Sequence, residues 1–187
     1  MAPALKPIVL DTYDYVWDRF RRRLEGLTDE EFLWEPVPDC LTVRRTPDGI
    51  GRDHGQWPDV QPSRVSTIAW RICHIADNFL EPRIGPLFGR PAETRGSLDW
   101  PITASDGIVY AEHGYAVFRR HLDATDEASL WQILDDDSTP YRGQPLSRFV
   151  LQYLEELAHH AAEVALLRDL HRARFGPDGD PLIASSP

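Results

Sequence analysis

Sulfur is scarce in this sequence: two cysteines, Cys40 and Cys73, and one methionine in 187 residues. No CxxC pair occurs, which excludes a disulfide framework and a cysteine-based zinc site. Cys73, flanked by Ile72 and Ile75, reads as a buried, inert thiol. Basic charge is also in deficit, with 20 Lys and Arg against 30 Asp and Glu. The longest basic run is Arg21, Arg22 and Arg23, so no phosphate-tracking surface is expected and nucleic acid is excluded as a partner. No apolar run reaches the roughly 18–20 residues that span a bilayer, and the N-terminus lacks the charged-then-apolar layout of a signal peptide. The expected setting is cytoplasmic, with no membrane partner. Alternating strand patterns of useful length are missing too, which turns the reading towards an all-α fold.

Four amphipathic segments supply that fold. The first spans about Val9 to Gly26, with Val16, Phe20 and Leu24 at helical spacing and Gly26 as its stop. Thr28 and Glu31 form a capping-box pattern for a short extra turn. Ser66 is expected to cap a second helix to about Leu80, carrying Ile68, Ala69, Ile72, Ile75, Ala76 and Phe79 on one stripe. A third runs from about Ser105 to Leu122, and a fourth from about Leu146 to Arg174. Such a set implies an antiparallel four-helix bundle in a single domain, 1–187, with long loops between helices one and two and between two and three. The 35–65 connection holds TPDG turn chemistry between LTVRR and IGRD, consistent with a small hairpin, and 176–187 read as a flexible tail.

The fourth helix is where chemistry enters. At 100° per residue, Phe149, Tyr153, Glu156, His160, Glu163, Leu167 and Leu170 share one stripe, so ionisable groups interrupt the face a bundle helix buries. Burial of such groups costs several kcal/mol unless they are paired or bound to a metal. Glu156 and His160, four apart, can grip one ion. A catalytic zinc site wants a third protein ligand plus water, whereas a structural site wants four. His74, central in the second helix, is the best third candidate, although it lies off that helix's apolar stripe, where a histidine is also at home on the surface or behind a ligand. Glu163 either orients a ligand or pairs with an arginine of another helix. Trp70 lines a cleft beside the metal or simply packs, and Asp77, one turn beyond His74, is a supporting candidate. His159 points off the stripe and reads as structural or partly exposed.

A W-x-x-x-H run in the second helix, then E-x-x-x-H, A-x-E and L-R-D-L in the fourth, resembles the DinB-like metalloprotein superfamily, including the N-terminal domain of mycothiol-dependent maleylpyruvate isomerases. The resemblance runs from GLTDEEFLWEPVP through STIAWRICHIADN to ELAHHAAEVALLRDL. It implies a four-helix bundle holding a divalent metal through His74, Glu156 and His160. Many members have His in place of Glu156; the isomerase-like branch is similar to this chain in using Glu. The second domain of those isomerases has no counterpart in this sequence.

The expected cofactor is a divalent ion, zinc first, with nickel, iron and manganese also compatible with such a donor set. The resemblance further implies a low-molecular-weight thiol such as mycothiol or bacillithiol, and hence thiol S-transferase or isomerase chemistry on a small-molecule substrate. A metal-dependent hydrolase is the alternative enzyme. The non-enzymatic alternative is a bundle whose metal or polar layer is structural. Homodimerisation is compatible with any of these.

Overall fold

The computed structural model describes residues 4–45, 51–53, 65–91, 99–135 and 140–176. Among them are seven helices: α1 (Leu5–Leu24), α2 (Asp29–Leu33), α3 (Ile68–Phe79), α4 (Ile84–Leu87), α5 (Ala104–Asp123), α6 (Glu127–Leu130) and α7 (Leu146–Phe175). A small antiparallel hairpin joins β1 (Val43–Arg45) to β2 (Gly51–Asp53), with Val43 opposite Asp53. The TPDG turn and the 177–187 part of the expected tail lie outside the described residues.

Local chemistry explains where the helices begin. Thr67, not Ser66, caps α3: its Oγ1 accepts from Trp70 N–H at 3.2 Å. Ser66 is held extended by a bridge to Leu41, in which Leu41 N–H donates to Val65 and Thr67 N–H to Leu41, so the helix starts one residue later than expected. At α2, Thr28 Oγ1 accepts from Glu31 N–H at 3.2 Å. The Glu31 carboxylate, which a capping box would turn back to Thr28, is bound by Arg168 instead. Helix α1 has no side-chain cap of its own. Its first amides, Leu5 and Lys6, both donate to the Glu127 carboxylate at 2.9 Å, so a residue far along the chain satisfies two donors the helix cannot.

The four long helices share one core, and their contacts fix their directions. Asp14 meets Arg119 while Arg21 meets Glu112, so α1 and α5 are antiparallel. Arg71 meets Glu163 while Glu81 meets Tyr153, so α3 and α7 are antiparallel. Tyr13 OH donates to the Val150 carbonyl while Arg23 reaches Ala165, so α1 and α7 are parallel. It follows that α3 and α5 are parallel as well. The arrangement is thus up, down, down, up, which differs from simple alternation.

Two glycines let α5 approach its neighbours closely. A Cβ on Gly114 would lie 2.9 Å from the Ala76 carbonyl oxygen, and one on Gly107 would lie 2.7 Å from the Phe32 ring. Below this contact an aromatic group fills the core: Tyr13, Phe79, Phe118, Phe149 and Tyr153 meet at centroid distances of 4.4–6.4 Å. At the other end, Arg168 is 1% exposed and Glu31 4%. Its guanidinium donates twice to Glu31, at 2.7 and 2.9 Å, and also to the carbonyls of Arg23 and Glu25. That fork ties α7 to α2 and to the end of α1.

Candidate metal centre

The buried seam of α7 runs through Tyr153, Leu157, His160, Val164 and Leu167. Glu156 and Glu163 therefore flank it on one side, their side chains 37% and 32% exposed, and Leu170 is exposed. The expected stripe was displaced by less than one residue's turn. That offset keeps both carboxylates in partial contact with solvent, where their charge is cheaper to hold.

His160 alone of the three sits in the seam. Its Nε2 lies 3.1 Å from Glu156 Oε2 and its Nδ1 2.6 Å from Glu163 Oε2. Across the seam, the His74 ring meets the His160 ring edge-on at 4.8 Å. His74, Glu156 and His160 each present a donor atom within 4.8 Å of the others. His159, His160 and Glu163 also bring donor atoms within 4.8 Å of one another, but they lie on one helix only, His159 is exposed, and Arg71 already pairs with Glu163 at 2.8 Å.

The surroundings steady His74. Trp70 stacks on its ring at 4.9 Å and 13°, and the Asn78 amide lies 3.3 Å from its Nε2. Trp100 packs edge-on to Trp70 at 6.2 Å. The Asp77 carboxylate accepts from Trp100 Nε1 at 2.9 Å and from Tyr110 OH, so it anchors the aromatic wall behind His74. Arg71, which the sequence reading passed over, lies over the Trp70 ring at 4.8 Å and pairs with Glu163. Helical spacing alone would have found Arg71 and Asn78, three before and four after His74.

Electrostatics separate the two imidazoles. Burial and the neighbouring charge of His160 push His74 down to about 4, which leaves it neutral, with one nitrogen lone pair able to accept, at neutral pH. His160 moves the other way: burial works against its charged form, yet hydrogen bonds to Glu156 and Glu163 raise it. Its hydrogen bond in turn lowers Glu156. Burial opposes the same effect at Glu163, where His160 and Arg71 still bring the carboxyl down.

This donor set fits a divalent cation. Two imidazoles and a carboxylate from two helices are the ligand types zinc and its neighbours take. Ligand atoms bonded to one such ion at ~2.0–2.1 Å stand roughly 3 Å apart, close to the separation between His160 and Glu156. Glu163, on the far nitrogen of His160, is placed to fix the tautomer that turns Nε2 inward.

Fold and site together define a helical protein with a two-histidine, one-carboxylate set between facing helices. The chain belongs to the DinB superfamily, whose model matches residues 12–164 and so includes all three of these side chains. The crystal structure of the conserved protein of a locus from Enterococcus faecalis is similar in fold, with a TM-score of 0.56 and 16% sequence identity over 89% of this chain and 96% of that one. No match is found among curated proteins.

Proposed function

We propose that this protein is a four-helix-bundle metalloprotein that holds one divalent ion through His74, Glu156 and His160, and that it is an enzyme of low-molecular-weight thiol transfer or isomerisation. The observation that carries the metal reading is the convergence of three donor types from α3 and α7 within 4.8 Å, with one imidazole held neutral by burial and the other backed by a carboxylate. When bound, the ion would supply Lewis acidity, lowering the pKa of a water or thiol beside it.

The residues of the chain have clear parts in this reading. His74 and His160 donate nitrogen lone pairs and Glu156 donates negative charge. Glu163 keeps the proton of His160 on Nδ1, and Trp70 fixes the plane of His74. The chain's own thiol nearest the site is unsuited to act as nucleophile: Cys73 is fully buried, and burial together with Asp77 pushes its pKa well up, away from thiolate. A thiol from solution is the better nucleophile, and zinc is the first choice of ion. The fully satisfied contacts of His160 with Glu156 and Glu163 favour one second reading, a polar layer that sets helix register without catalysis.

Metal analysis of freshly purified protein separates these readings when paired with a screen of thiol cofactors. About one bound ion per chain, lost in His160→Ala, is the result expected. Metal-free protein that takes up no zinc, nickel, iron or manganese on titration would overturn the metal reading and leave the polar layer.

A further inference from the structure

The seam between α3 and α7 keeps a constant register. Arg71 meets Glu163 and His74 meets His160, and Glu81, just past the end of α3, meets Tyr153, so each advance along α3 and the turn after it is matched by an equal retreat along α7. Between His74 and Glu81 the same register sets Asn78 opposite Glu156. The Asn78 amide nitrogen lies 3.3 Å from His74 Nε2. On α7 the i, i+4 partners Glu156 and His160 stand 3.1 Å apart. The two helices thus face each other with matching pairs of polar side chains at the spacing that donors to one ion adopt, roughly 3 Å.

We infer that Asn78 is a fourth protein donor to the ion held by His74, Glu156 and His160, acting through its side-chain amide oxygen. The inference rests on the metal reading above. An amide presents its oxygen or its nitrogen at nearly the same place after a half-turn of its last bond. Beside a bare His74 Nε2, the NH2 end donates a hydrogen bond. Beside a cation it would direct two protons at positive charge, and the oxygen end is then favoured. Such a set carries two neutral imidazoles, one carboxylate and one neutral amide. An amide oxygen is a weak ligand for zinc compared with thiolate, so this donor closes the site yet gives way to an anionic sulfur ligand.

The test uses Co2+ as a spectroscopic probe on the full, metal-free chain, with visible absorption and competition titration for the wild type, Asn78→Asp, Asn78→Leu and His160→Ala. Asn78 is only partly buried, and circular dichroism checks that each variant is folded. Asn78→Asp, which makes the donor anionic, is expected to bind Co2+ about tenfold more tightly, and Asn78→Leu about tenfold more weakly, both with shifted ligand-field bands. Wild-type bands in both Asn78 variants overturn the inference even if affinity changes, because a residue that merely steadies His74 would give that result. A wild type that binds no Co2+, or a His160→Ala variant that binds it equally well, defeats the metal reading itself, and the Asn78 assignment with it.

Discussion

Nδ1 of His160 lies 2.6 Å from a carboxylate oxygen of Glu163, and that same oxygen lies 2.8 Å from Nε of Arg71 on α3. One carboxylate thereby sets the proton of an imidazole and ties the two helices that carry the site. Replacing Glu163 with Leu should lower metal affinity about 10- to 100-fold, the usual consequence of losing such a partner. Glu163→Gln, which can still accept from Nδ1–H, should lose less. Competition titration against a chromophoric chelator checks both; equal affinity in all three proteins would mean that Glu163 does not orient His160.

Proton release gives a second check. Because Glu156 and Glu163 raise His160 above the ordinary imidazole value of 6.5, the metal-free protein carries a proton there below that raised value, and an entering ion must displace it. Affinity should therefore be flat above the raised value and fall about tenfold per pH unit beneath it. His74, held near 4, adds no further dependence until much lower pH. Calorimetry in two buffers of different ionisation enthalpy should show about one proton released on binding at pH 6 and fewer at pH 8.

Stability should respond to the ion as well. A ligand present at about 100 times its Kd contributes about 2.7 kcal/mol to the folded state, so a chelator should lower the Tm of metal-loaded protein by several degrees. His160→Ala should melt at the same temperature with and without chelator.

Removal of one partner from the Arg168–Glu31 pair leaves a charge stranded in the core. Arg168→Leu should cost about 3–5 kcal/mol, whereas the double change with Glu31→Leu should recover part of that loss. Denaturant unfolding measures both. Additive losses in the double variant would show that the two side chains are not coupled.

Cys73→Ser should leave any thiol-transfer activity largely intact, whereas Glu156→Gln should abolish it together with metal. Loss of turnover in a folded, metallated Cys73→Ser variant would rule out a nucleophile from solution.

Much of this molecule is legible in its sequence, because helical periodicity is local. The spans of α3, α5 and α7 lie within a residue or two of those read from apolar spacing, and the interruption of the α7 face singled out Glu156, His160 and Glu163. What escaped depends on partners distant in the chain. The partner of Arg168 could not be read, because nothing near it in the sequence announces Glu31. The partners of Asp77, Trp100 and Tyr110, stayed hidden because they belong to segments the pattern does not connect to it. The parallel course of α3 and α5 was hidden for the same reason: amphipathic stripes say which face is buried and not which way the helix points.

The pairing of α1 with α7 bears on how the chain folds as it is made. Tyr13 binds Val150 across a sequence separation of 137 residues, and Arg23 and Arg168 join the same two helices further along. Closing so long a loop is slow, and little repays it until α7 arrives. On a ribosome, α1, α3 and α5 would emerge with the faces meant for α7 still uncovered, and half of the His74 site would wait for Glu156 and His160. The cooperative core therefore forms only once α7 has joined α1, α3 and α5.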